Sequence, residues 1–281
     1  MKTNILISVL IILLLSACVE TQYVEIEGPA AIVEGKVSIT FDARYGDANF
    51  ELNKPFPYKL NNESGEFDLE YEFTRLRYWV SNVSFIDVSG EEHLVPNSYY
   101  LIEENNAIPV QDGSFNKVYP ANKREKVDIA NIPAGDYKAI KFHIGVEPKY
   151  NDNLTLTVGE LNALNGMAAD NWMWFTSYIF TSVSGKMTWL KDEPESKSFY
   201  WETGSNDFYG DKVFEFAEPI TINSTTSSEV IVNLDVKGVV DFELPWVNTV
   251  IGATSPDLME ELTNNYFNSF ELKSATSTSG N

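Results

Sequence analysis

The sequence predicts an all-β fold: an antiparallel β-sandwich with one or two short helices. Three observations predict it. Short apolar runs alternate at period two, as in Val37-Ser38-Ile39-Thr40-Phe41. Turn signals such as Ser89-Gly90 and Pro133-Ala134-Gly135-Asp136 separate these runs at short intervals. Long stretches of helical periodicity are scarce, and this combination is the signature of sheet packed on sheet.

Taken in order, the chain opens on a segment that stands apart from the fold. Lys2 precedes the apolar run Ile5 to Leu15, too short to span a bilayer, where about 20 residues are needed. Leu15-Ser16-Ala17-Cys18 then reads as a bacterial lipobox, which makes residues 1–17 a lipoprotein signal peptide and Cys18 the lipidated residue. Cys18 is the sole cysteine, so no intramolecular disulfide competes for it. The expected product is held to a membrane by acyl chains and does not span it. Val19 is not the aspartate that retains enteric lipoproteins at the inner membrane, which points to the outer membrane. Residues 18–35 are acidic and aperiodic and read as a tether.

The strands follow from residue 36. Phe73 to Val80 is one, entering a bend at Ser81-Asn82; Val83 to Val88 is the next, closed by Ser89-Gly90. Ser98 to Ile102, Val127 to Ile129 and Tyr137 to Val146 continue the series, then Tyr178 to Val183, Lys212 to Phe216 and Glu229 to Val236. Val158 to Met167 reads as a short helix. Ser255-Pro256-Asp257 reads as a helix start, with a serine to cap, a proline for the first turn and an acid at the positive end. The domain is expected over residues 36–273, and the small polar residues 274–281 read as a disordered tail.

The net charge of −21 argues against a nucleic-acid partner, because phosphate binding needs clustered lysine and arginine. Catalytic signatures are weak. There are two histidines. His93 follows a turn in Glu91-Glu92-His93 and reads as solvated. His143 alternates with Ile140, Phe142, Ile144 and Val146, which places it on the surface face of its strand. No nucleophile-elbow motif accompanies either, and the carboxylates are too numerous for any pair to stand out. Asn151-Asp152-Asn153 and Ser205-Asn206-Asp207, with Asp211, carry hard oxygen ligands suited to calcium, although asparagine and aspartate also favour turns for their own reasons. The aromatic run around Trp172, Trp174, Tyr178 and Phe180 reads first as a core layer. With Trp79 and Trp201 it is also the feature on which a glycan-binding or envelope-interaction module would rest.

Five stretches, in order, resemble the MbnP-like (methanobactin-associated) copper-protein lipoproteins of Gram-negative bacteria. They are Phe41-Asp42-Ala43-Arg44-Tyr45-Gly46-Asp47; Phe73 through Ser81-Asn82-Val83; Ser98 to Ile102; Ile132-Pro133-Ala134-Gly135-Asp136-Tyr137 running into Phe142-His143-Ile144-Gly145-Val146; and Leu164-Asn165-Gly166-Met167 with Trp172 to Phe180. The resemblance implies a β-sandwich on an exported chain. It implies a copper or other divalent-metal site completed by histidines and, in some members, a tryptophan oxidised to kynurenine by a di-haem peroxidase partner. This sequence departs from the pattern where the ligands should be. Ala43, Ser81 and Glu202 stand at positions where histidine is usual, and the last falls in Trp201-Glu202-Thr203-Gly204. Ser177 stands for a usual glycine, and four residues are inserted between Met167 and Trp172. Such a donor set is poor for Cu(I), which prefers imidazole and sulfur. Any metal is therefore expected at Glu202 with His143, as a hard or borderline ion. The sequence thus reads as an exported, lipid-anchored, non-catalytic binding protein.

Overall fold

A computed structural model describes residues 34–62, 65–112, 115–169 and 177–279 of the chain. These fold as two β-sheets face to face, with a small separate hairpin (Ile108–Asp112 with Phe115–Tyr119).

The smaller sheet runs Lys126–Pro133, Glu34–Tyr45, Thr226–Asp235, Phe270–Ser279, with Ala48–Asn49 hairpinned against the end of the second. Its alternation is the one read from the sequence: Val37, Ile39 and Phe41 are buried, and the residues between them are not. Two features differ from expectation. Glu34–Tyr45 pairs in parallel with Thr226–Asp235, so the sandwich is mixed rather than purely antiparallel. A parallel pair needs a crossover, and here everything between the two strands supplies it. The residues read as a disordered tail instead continue a strand through Ser279, with Ser274 opposite Ile231 and Ser279 opposite Thr226. A run of serine and threonine is too polar to order itself, but it completes a backbone ladder when a neighbouring strand offers one.

The larger sheet is organised by one strand, Gly65–Asp87. The sequence suggested two strands broken at Ser81-Asn82. The structure carries one strand through that point, with Asn82 at φ +47°. Two residues of this strand there oppose one on its partner, since His143 pairs with Ser81 and Lys141 with Ser84. Asparagine tolerates the left-handed conformation, so the irregularity is a bulge and not an end. Pro55–Asn62, Tyr99–Asn105 and Glu92–Leu94 occupy successive stretches of one edge. Ser177–Trp189 and Gly135–Ile144 lie end to end along the other.

Aromatic contacts join the two sheets. Phe41 meets Phe142 at 5.3 Å and Tyr78 at 6.3 Å, and Tyr78 meets Phe270 at 5.5 Å. Edge-on pairs of this kind add about 0.5–1.5 kcal/mol each beyond the area they bury. The helix Pro256–Ser269 starts where the sequence placed it and buries Met259, Leu262, Thr263 and Tyr266, the spacing of one helical face. Ser255 does not cap it; its hydroxyl instead bonds the Gly252 carbonyl. Of the helix read over 158–167, only the 3-10 turn Ala163–Asn165 forms. No helix among the described residues is long and apolar enough to cross a bilayer.

Candidate metal centre

The residues singled out in the sequence do not meet. Glu202 lies on Glu195–Gly204, opposite Ser182, which in turn pairs with Arg77. Its Oε1 accepts from the Ser182 hydroxyl at 3.1 Å and faces the Arg75 guanidinium at 3.6 Å. His143 pairs with Ser81, four residues further along the long strand, roughly 13 Å at 3.3 Å per residue. The Ser81 hydroxyl is buried and donates to the Gly145 carbonyl at 2.8 Å. Ala43 lies on the other sheet, buried against the core. Of the positions where the resemblance expects histidine, Ser81 therefore lies beside His143, while Glu202 and Ala43 each lie apart from that pair.

His143 is also not the surface residue that alternation suggested. Tyr209 stacks on its ring at 4.8 Å, with 14° between the planes, and half-buries it. Tyr209 is itself held by the Asn82 amide, which donates to its hydroxyl at 2.7 Å. Burial pushes the His143 imidazole below its ordinary pKa, partly offset by Asp211 on the paired strand.

The two oxygen-rich stretches do converge, but on each other. Asn151 Nδ2 donates to Asn206 Oδ1 at 2.9 Å, and Asn206 Nδ2 to Asp152 Oδ1 at 2.9 Å. Asn151 Oδ1 accepts the Tyr178 amide. The side-chain amides are spent in a clasp between loops, which leaves few oxygens for calcium. Trp79, Tyr178 and Trp201 are fully buried, with Trp79 edge-on to Tyr178 and Trp201 Nε1 donating to the Asn248 carbonyl at 2.7 Å. They belong to the core and offer no surface. Trp172, Trp174, Met173 and Cys18 lie outside the described residues.

A different group comes together at the hairpin that ends the long strand. Asp87 closes that strand, Ser89-Gly90 turns the chain, and Glu92–Leu94 pairs back, with His93 opposite Phe85. The turn brings the ligand atoms of Asp87, Glu91 and His93 all within 4.8 Å of one another. Asp87 is fixed on both oxygens. Oδ1 accepts from the Ser89 hydroxyl at 2.6 Å and the Glu91 amide at 2.9 Å, and Oδ2 faces His93 Nε2 at 3.1 Å. Those bonds, the Ser89 one foremost and His93 next, hold the Asp87 carboxyl well below the usual carboxylate range. The His93 ring rests edge-on against Tyr137 at 5.6 Å, and the Tyr137 hydroxyl is anchored on the Pro133 carbonyl at 2.6 Å.

One imidazole and two carboxylates suit a borderline divalent ion such as Cu(II) or Zn(II) better than Cu(I). Met167 and Met187 are buried in the core. The site is shallow, with the His93 and Asp87 side chains 23% and 22% exposed, so an ion reaches it without the fold opening. The sequence reading had the strand and its closing turn but left His93 as a solvated residue. The signal was the spacing Asp-x3-Glu-x-His, which spans a tight turn and sets His93, opposite Phe85, diagonal to Asp87 across the hairpin.

A family model described as MbnP matches residues 34–257. No curated protein matches. Among solved structures, MbnP from Methylosinus trichosporium is similar at 14% identity, covering 75% of this chain and 80% of that one, with a TM-score of 0.39.

Proposed function

The chain belongs to the MbnP family, and from that premise we propose that it is an exported, non-catalytic binding protein of the cell envelope that holds a divalent metal ion at Asp87, Glu91 and His93. The convergence of these three ligand atoms carries the reading. The expected set, Glu202 with His143, is set aside because those side chains lie on separate strands with partners of their own. The copper association of the family supports copper as the metal, and the donor set favours its divalent state. Binding takes His93 Nε2, which faces Asp87 Oδ2 at 3.1 Å, as its one nitrogen ligand.

The lipobox ending at Cys18 supports a lipid anchor and export, and the residue after it supports the outer membrane. A di-haem peroxidase partner is supported by the family resemblance alone. Of the aromatics behind the glycan reading, Trp79, Tyr178 and Trp201 are buried and offer no ring face, while Trp172 and Trp174 lie outside the described residues.

Titration of the full chain with Cu(II), followed by calorimetry and electron paramagnetic resonance, tests the site. One equivalent of Cu(II) with a nitrogen ligand, lost in His93→Ala and kept in Glu202→Ala, is the expected result. Binding that survives His93→Ala, or that disappears in Glu202→Ala, overturns the assignment. Acyl incorporation lost in Cys18→Ala tests the anchor separately.

A further inference from the structure

On the flank of the sandwich, between the end of Glu34–Tyr45 and the end of Tyr99–Asn105, the two sheets splay around an open cleft of about 720 Å³. That is within the range of small-ligand sites, roughly 300–1,000 Å³. Its chemistry differs from the usual apolar pocket. Of fourteen lining residues five are asparagines and four are acids, against one lysine. The one lining aromatic, Phe50, is buried and offers no ring face.

The polar groups are held in place. Asn53 and Asn106 clasp each other across the cleft, each amide nitrogen donating to the other's oxygen at 3.1 and 2.8 Å. Lys123 bridges the carboxylates of Glu104 and Glu125 at 2.9 and 3.2 Å. Glu104 and Glu125 thus already hold one primary ammonium, that of Lys123. Asn105 is 2% exposed; its Nδ2 bonds the Asn106 and Pro120 carbonyls, and its Oδ1 accepts no hydrogen bond. An acceptor in that position is costly unless a donor reaches it, at about 1–3 kcal/mol.

Acceptors with an excess of negative charge select a ligand. Anions are repelled, even with Arg44 and Lys54 beside Asp42 and Glu51 at the rim. Apolar ligands find only the smaller part of the lining. A ligand carrying several hydroxyl donors and an ammonium meets the remaining lone pairs of the amide oxygens and carboxylates. We propose that this cleft binds a polyhydroxyl ligand bearing free amines, an amino sugar in short oligomers.

The test is calorimetry on the full chain with three probes: the trimer of glucosamine, its fully N-acetylated form, and cellotriose. The glucosamine trimer is expected to bind at least tenfold more tightly than either of the others and to weaken as salt rises. Glu125→Gln and Asn106→Ala are each expected to weaken it at least fivefold with melting temperatures unchanged. Glu51→Gln, an exposed change with no packing role, provides a third variant should either of those fail to fold. His93→Ala is expected to leave trimer binding intact, which separates this site from the metal centre. Equal binding of all three trimers, no binding of any, undiminished binding in the variants, or Ca²⁺ binding lost in Glu125→Gln without trimer binding would each overturn the proposal.

Discussion

Removing the charge of Glu103 by Glu103→Gln is the sharpest perturbation the fold allows. Arg77 is fully buried and Glu103 nearly so. The guanidinium gives Nε to Glu103 Oε2 at 2.7 Å and a terminal nitrogen to the Asn165 carbonyl at 2.7 Å, and stacks over the Tyr119 ring at 4.6 Å. Glu103 Oε1 meanwhile accepts from the Tyr119 hydroxyl at 2.6 Å and from Asn122 at 2.7 Å. Glutamine keeps the shape but supplies one oxygen where two serve. Whichever way its amide turns, an NH₂ faces a donor, and the Arg77 charge is left without its counterion. Breaking one partner of a buried pair costs about 3–5 kcal/mol. At about 2–4 °C per kcal/mol for a domain of this size, the melting temperature should fall by about 6–20 °C. Scanning calorimetry with matched urea unfolding measures it. The exposed pair Lys59–Asp68, at 3.3 Å and 86% and 57% exposed, provides the control: Lys59→Met should cost under about 1 kcal/mol. The double change Arg77→Met with Glu103→Leu should lose less than Glu103→Gln alone. A loss from Glu103→Gln no larger than the control's would refute the reasoning, because the charge would then not be dehydrated as the burial requires.

Other outcomes follow from the same coordinates. Gly185→Ala puts a methyl 2.2 Å from the Glu72 carbonyl oxygen and 2.8 Å from Phe73 Cα at the centre of the larger sheet, so the variant should be insoluble or melt far below the parent. Ending the chain after Lys273 removes the partners of Thr226 to Ile231; urea unfolding should show a clear loss of stability, where a disordered tail would show none. The Asp87 carboxyl titrates lower in the folded than in the unfolded chain, so its stabilisation is present above the ordinary value of 3.8 and is lost as pH falls through the folded value. The stability gap between the parent and Asp87→Asn should therefore be flat at neutral pH and close only below about pH 4. Tyr71, Tyr78 and Tyr266 are pushed upward chiefly by burial, so the unfolded chain loses their protons first and stability should decline above about pH 10. Absorbance of phenolate should then rise together with loss of tertiary circular dichroism.

What could be read from the sequence was what depends on near neighbours along the chain. Ile140, Phe142, Ile144 and Val146 were correctly placed on one buried face, and Pro256 at the start of its helix, because alternation and the first-turn preference of proline are local. The misreadings arise where a distant segment decides. His143 was placed at the surface by alternation, and Tyr209, 66 positions later, covers it. The serine and threonine run after Lys273 has no reason to order until Thr226–Asp235 lies beside it. Asn82 reads as a break because nothing local reveals that Gly135–Ile144 runs past it on one side. The candidate metal site was nearly legible: its three residues span seven positions, and only the cross-strand pairing of the hairpin was missing from the reading.

The parallel pairing of Glu34–Tyr45 with Thr226–Asp235 sets the order of events as the protein folds. The first described strand has one antiparallel neighbour about 90 positions away and another neighbour about 190 away, as in Ser38 with Asp128 and with Glu229. Contacts of such separation slow folding, since the intervening chain must be confined before any of them forms. The smaller sheet is therefore the last part to close, and until it does Val37, Ile39 and Phe41 present an apolar ladder with open edges, the kind of surface on which chains aggregate. Escape from aggregation should depend on how fast Thr226–Asp235 and Phe270–Ser279 arrive, so the yield of folded protein should respond more to changes in these strands than their distance from the candidate metal site would suggest.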